Sequence, residues 1–156
     1  DMPPEGDEDA PDGSAEPKAI PAAEVEQILN RHREWIESKG GEGEKANFHR
    51  AFLQDAYFQG GDLRGANFSE ASLHLAELQN ANLYRADLTH ANLQHASLQK
   101  SNMREANMEG AHFIQANLQG ADLRDADLFE SRLQWADIEG VYCKGANLFP
   151  RGPASS

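Results

Sequence analysis

From Ala46 to Pro150 the apolar positions recur every five residues through 21 consecutive units, such as AELQN, ANLYR and ADLRD, without an insertion. The middle position of every unit is apolar, from Phe48, Leu53 and Phe58 through Leu83, Met103 and Phe113 to Ile138, Cys143 and Leu148. Ala stands two residues earlier in 17 of the 21, and Gly61, Ser101, Ser131 and Val141 replace it in the others. A period of five suits neither regular element. Five residues turn an α-helix through about 500°, scattering the middle positions around it. Five steps along a strand send alternate ones to opposite faces. A chain that bends after every five residues buries all of them, provided each unit forms one side of a coil and coils stack at strand spacing. Four sides give a twenty-residue coil, so the pattern predicts about five coils and one extra side, a body on the order of 25 Å long.

A second pattern precedes the repeats. Val25, Ile28, Leu29, His32 and Ile36 recur at spacings of three and four, which predicts a helix over 22–39 with Pro21 suited to its first turn and Gly40 and Gly41 ending it. Trp35 sits beside this stripe, and it and His32 are expected to pack on the domain that follows. A docked amphipathic helix covers the core side chains and unpaired backbone groups that an open solenoid end exposes. Residues 1–19 are rich in Asp, Glu, Pro and Gly, with Met2 the one large apolar residue, and read as a flexible acidic arm. The predicted organisation is an arm over 1–19, a helical cap over 20–45, the repeat body over 46–150 and a tail over 151–156.

The repeat units resemble the consensus of the pentapeptide-repeat family, a small residue, then Asn or Asp, then Leu or Phe, then two variable positions. Ala81-Asn82-Leu83 and Ala86-Asp87-Leu88 carry that motif in full. Phe52, Tyr57, His112, Arg132 and Tyr142 stand where Asn or Asp is usual, and Val141 with Cys143 suggests a distorted last full coil. The stretch from His32 to Gly40, then Gly43 and Ala46-Asn47-Phe48, is similar to a lead-in segment of bacterial members. The resemblance implies an all-β solenoid, a right-handed quadrilateral β-helix with an N-terminal α-helical cap. It also offers a function: some members mimic duplex DNA and protect DNA gyrase from inhibitors.

Charge changes the weight of that function. The net charge is −12, but residues 1–45 carry 13 acids and 5 bases, whereas residues 46–150 carry 13 acids and 8 bases. A DNA mimic needs a dense anionic face, and the repeat body is only mildly acidic. The same negative sum argues against nonspecific binding to nucleic acid. No apolar run reaches 18 residues, so a soluble chain without a membrane span is expected, either cytoplasmic or exported with a removed leader. The chain begins with Asp1, in keeping with a processed or trimmed end.

Positions twenty apart stack if the coils are regular, and the faces can then be read as ladders. The third side carries Gln59, Gln79, Gln99, Gln119 and Glu139, whose amides either reinforce the coil stack or offer a flat polar docking surface. The fourth carries a candidate cationic column, Arg64, Tyr84, Arg104, Arg124 and Lys144, with Asp62, Glu105, Asp122 and Asp125 beside it. That column is either a solvated, ion-paired face or a track for an acidic partner or, with Tyr84 stacking, for nucleic-acid phosphates, for which four cations in a chain of net charge −12 are few. Leu75, Ile114 and Trp135 point outward from the second side, and Phe129, Tyr142 and Phe149 lie near the open C-terminal end. They are the candidate partner contacts, with Trp135 the preferred anchor, if they form one patch rather than scattered residues.

Catalytic chemistry finds no support in the sequence. No phosphate loop, serine elbow, metal helix or paired-acid motif is present. His74, His95 and His112 share the second side, but their positions within the unit differ, which argues against convergent metal ligands. Cys143 occupies an inward middle position and is expected to act as a small core hydrophobe. No cofactor is called for. The reading is a non-catalytic interaction or scaffold subunit for a protein partner or larger complex, with the open C-terminal end available for a homodimer; the alternative is the gyrase-binding DNA mimic.

Overall fold

The computed structural model describes residues 18–147. The arm up to Pro17, the tail over 151–156 and Phe149 lie outside them. Element order is β1 (Lys18–Ala19), α1 (Ala22–Glu37) and β2 (Ala51–Phe52), after which single parallel bridges carry the repeat. Each bridge joins residues twenty apart, from Asn47 to Asn67 through Asp127 to Asn147. The twenty-residue register inferred from the five-residue period is therefore the register observed. Counting from Ala46, sides one to four of each circuit begin at Ala46, Ala51, Ala56 and Gly61 and recur every twenty residues.

One unit, Ala86–His90, shows why the repeat has its composition. The amides of Leu88 and His90 donate forward to the Asn107 and Glu109 carbonyls of the next circuit, at 2.7 and 2.8 Å. The Asp87 amide donates back to the Ala66 carbonyl at 2.9 Å. The next unit's Ala91 amide closes a turn onto the Leu88 carbonyl at 3.0 Å. Only the fourth amide, that of Thr89, finds no backbone acceptor, and Asp87 Oδ1 takes it at 3.0 Å. Asn and Asp at the second position are thus the local acceptors that complete the backbone account. The same bond recurs at Tyr84 to Asn82, Arg104 to Asn102 and Glu139 to Asp137.

The fifth residue of every unit from Arg50 to Gly145 has positive φ, which places it at the third position of a type II turn. Fourteen of those twenty residues are not glycine, including Leu75, His95 and Trp135. Positive φ costs an L-residue on the order of 1–2 kcal/mol, so the coil-to-coil bonds and the buried core hold the turns where local preference does not.

The core is the stack of first and third positions. Leu73, Leu83, Leu93, Met103, Met108 and Phe113 have no exposure, and the alanines beside them are equally enclosed. Phe48 stacks on Phe68 at 5.1 Å, and Phe58 meets both edge-on. Full burial of one such side chain contributes roughly 1.5–3 kcal/mol.

Helix α1 ends two residues earlier than its hydrophobic pattern predicts, and a lysine opens the positive-φ turn that Gly40 continues. Lys39 adopts φ 58, and the Gly40 amide donates to the Trp35 carbonyl at 2.8 Å while that of Lys39 donates to Ile36 at 3.1 Å. This is a Schellman ending with a non-glycine residue in the left-handed position. Val25, Ile28 and Leu29 pack against the repeat core. Lys18 and Ala19, within the predicted arm, instead pair in parallel with Ala51 and Phe52.

Candidate functional site

The cations of side four are divided by their partners. Arg64 makes a two-point pair with Asp62, Nε to Oδ1 at 2.8 Å and Nη2 to Oδ2 at 2.6 Å. Arg124 repeats it on Asp122 at 2.9 and 2.6 Å. These hydrogen bonds hold both carboxyls below the usual Asp range and raise both guanidinium pKa values. Glu105 accepts from Arg85 at 2.9 Å and, within the column, from the Tyr84 hydroxyl at 3.3 Å rather than from a column cation. Arg85 also lies over the Tyr84 ring, and Arg124 over Tyr142. Arg104 is half-buried, with Nε enclosed and unbonded, while Lys144 is exposed. Asp125 is placed against Gly145 of the next circuit.

Among the described residues the glutamines of the ladder do not bond to one another, and the one coil-to-coil bond they make is to a carboxylate. Gln119 Nε2 donates to Asp137 at 2.6 Å, while Oε1 of Gln79 and of Gln99 is enclosed without a partner. On side two, His74 and His95 stack at 5.5 Å, and the electrostatic neighbours of His112 are Arg132 and His90. Burial foremost, then Arg132, lowers the His112 pKa. Among the described residues no group of three or more His, Cys, Asp or Glu is arranged to hold a metal.

The candidate contacts separate into two places. Leu75 is exposed, but the circuit carrying Gln94 and His95 lies between it and Ile114, which is half-buried. Phe129 is also half-buried, and its amide donates to Asp127 at 3.0 Å. Trp135, 81% exposed, and Tyr142, also exposed, share the last described circuit with Ile138, whose exposure is 55%. Ile138 is an inward middle residue, and its counterpart one circuit earlier, Leu118, is 1% exposed. Cys143 is exposed too, contrary to its expected place in the core, because no described residue covers the second to fourth sides of this circuit.

At the other end, His32 is fully buried, and its Nδ1 accepts the Ala46 amide at 3.0 Å, joining α1 to the first repeat. Its Nε2 is enclosed without a partner. Burial lowers the His32 pKa from the ordinary 6.5, outweighing the Asp62 carboxylate, which raises it. A lowered histidine pKa favours the neutral folded form, so its contribution is present above pH about 6.5 and is eroded as pH falls below that value. His32→Asn keeps an acceptor and removes the titration. Acid titration followed by helical circular dichroism should show a shallower loss for this variant than for the parent between pH about 6.5 and 5. Equal curves would remove His32 as the acid-sensitive joint.

Sequence reasoning missed three residues near this joint, Lys39, Arg85 and Gly65, which with Trp35, Ile36, Gly40, Arg64 and Tyr84 line a concavity of about 360 Å³. Trp35 and Tyr84 are 49 positions apart in the chain, so no local pattern announces it. Phe52 and Tyr57, departures from the Asn or Asp position, are exposed on a groove with Val25 and Leu29 of α1.

Comparison with known proteins follows the same division between repeat and flanks. The family description "Pentapeptide repeat region" matches residues 43–108, and "Pentapeptide repeats (8 copies)" matches 106–142. No curated protein matches the sequence. Among solved structures, a pentapeptide repeat protein (Rfr23) from the cyanobacterium Cyanothece 51142 is 28% identical, with a TM-score of 0.52 over 69% of this chain and 67% of that one. HetL, a pentapeptide repeat protein involved in heterocyst differentiation regulation from the cyanobacterium Nostoc sp. strain PCC 7120, is 28% identical over 66% of this chain and 64% of its own, with a TM-score of 0.38. A trypsin-treated variant of QnrB1, a plasmid-mediated fluoroquinolone resistance protein, is 26% identical over 62% of this chain and 64% of its own, with a TM-score of 0.31. The likeness to the latter two is too loose to argue from. The chain spans about two thirds of the length of each of these three proteins. Among the described residues no helix is long and apolar enough to cross a membrane. Family members are in general non-catalytic structural or interaction proteins, and their fold is the right-handed quadrilateral β-helix. The repeats, their twenty-residue register and both family matches place this chain in the pentapeptide-repeat family.

Proposed function

We propose that the chain is a non-catalytic scaffold of about five coils, closed at its start by α1, which presents flat faces to protein partners and joins a second copy through its C-terminal end. The observation that carries this reading is the exposure of Ile138 and Trp135 on a circuit whose second to fourth sides pair forward with no described residue. Among the described residues, the amides of Leu133, Ile138 and Cys143 meet no carbonyl of a following circuit, and the carbonyls of Ser131, Ala136 and Val141 receive no donor. Donors and acceptors alternate along that edge, so it is complementary to itself, as a two-fold contact between copies requires. Trp135 and Tyr142 would flank the contact, since aromatic residues are favoured anchors.

The test is mass in solution. The gently purified native protein should sediment at twice the 17.2 kDa chain mass or within a larger complex. Ile138→Asp should return it to the chain mass with unchanged circular dichroism. A chain mass for both proteins at every concentration would overturn the contact. No observation of similar weight favours the DNA mimic, since Arg64 and Arg124 keep cations on side four. Unchanged supercoiling and quinolone inhibition of gyrase at saturating protein would dispose of that reading.

A further inference from the structure

The concavity between the end of α1 and the corner of sides four and one differs from the rest of this acidic chain. Its walls are Trp35, Ile36 and Tyr84, and the charged residues in its lining, Lys39, Arg64 and Arg85, are all cations. Lys45 approaches the same corner, since its side chain and the Trp35 ring both lie beside Gly65. A Cβ at Gly65 would rest in ordinary contact with the Trp35 ring, at 3.6 Å, which places this residue on the floor beside the indole.

The hydrogen-bond inventory is one-sided. Arg64 spends Nε and Nη2 on Asp62, and Arg85 spends Nε on Glu105. Among the described residues, Nη1 of Arg64, the Lys39 ammonium and the Trp35 indole N–H have no hydrogen-bond partner, and beyond its bond to Glu105 the Arg85 guanidinium meets only Tyr84. The Tyr84 hydroxyl is committed to Glu105. A guanidinium or ammonium donates and never accepts, so this set selects an anion. The apolar walls ask for an apolar group beside that anion.

We propose that the concavity binds a short acidic peptide segment of a partner protein, its carboxylates on Lys39 and Arg85 and an apolar side chain between Trp35 and Tyr84. A long polyanion such as nucleic acid fits less well, because its remaining phosphates would meet a chain of net charge −12, whereas a short segment feels mainly the local donors. The site lies at the opposite end from Ile138, so it stands or falls apart from the contact between copies.

The chain has two tryptophans, so the Trp35 indole N–H resonance can be assigned by comparison with Trp135→Phe. Titration with acetyl-Asp-Glu-Leu-Asp-Glu-amide should move that resonance saturably. The uncharged acetyl-Asn-Gln-Leu-Asn-Gln-amide should not move it. Lys39→Gln/Arg85→Gln, confirmed as folded by circular dichroism, should bind the acidic peptide at least about tenfold more weakly. An unmoved indole at millimolar peptide, an equal response to the uncharged peptide, unchanged affinity in the folded variant, or tighter binding of oligothymidylate at the same resonance would each overturn the proposal.

Discussion

Leu88→Ala should destabilise the repeat body by about 2–5 kcal/mol and lower its melting temperature by about 10 °C or more. Leu88 has no exposure, and its neighbours one circuit away on either side, Phe68 and Met108, have none either. Removing its side chain leaves a void that the turns on both flanks, held by bonds to the adjacent circuits, prevent from collapsing. Leu133→Ala makes the same chemical change on the last described circuit, where the residue is only half-buried. It should cost about 1 kcal/mol or less. Thermal and chemical denaturation of the two variants checks the difference. Equal losses would mean that the stack does not concentrate its stability in the middle.

Gly43→Ala should loosen α1 from the repeats at a cost of about 2–4 kcal/mol, the sum of overpacking and a left-handed alanine. An added Cβ would run into the Arg31 carbonyl oxygen and fall 2.7 Å from the Trp35 amide nitrogen. These are backbone atoms of the helix itself, so no side chain can swing aside. Gly60 provides the control, with the same φ of 69 and nothing within 4 Å of the place an added methyl would occupy. Gly60→Ala should therefore cost only the conformational part, about 1 kcal/mol. The readouts are helical circular dichroism and hydrogen-exchange protection of the Ala46 amide, which His32 accepts. If both alanines behave alike, the close approach at Gly43 does not hold the junction.

The period of five announced the solenoid because core burial and turn geometry repeat together, leaving one register that encloses every middle residue. Helix α1 was equally legible from its stripe, but its end was not. Gly40 does take positive φ there, but the left-handed turn begins one residue earlier, on Lys39, a residue whose propensity gives no sign of it. Ion-pair choice was also hidden. Glu105 stands next to Arg104 in the sequence yet bonds Arg85 on the preceding circuit, since outward side chains reach across circuits as readily as along them. Cys143 read as core by position, and only the end of the described stack exposes it. β1, two residues long, is too short for any alternation to declare it.

The backbone account of a single unit bears on how such a chain tolerates change in length. Every interior side uses the same forward and backward backbone bonds, and only the local side-chain acceptor drops out where a residue such as Phe52, Tyr57 or His112 stands, so the backbone ladder does not distinguish one side from another. An extra twenty residues would add a storey and leave every outward column aligned. An extra five would keep the core equally well filled, yet rotate everything downstream by a quarter turn, moving Arg124 out of line with Arg64 and Arg104. Duplication of one unit is thus nearly silent to folding and drastic for recognition, and the outside of this prism can be rewritten while its inside stays unaltered.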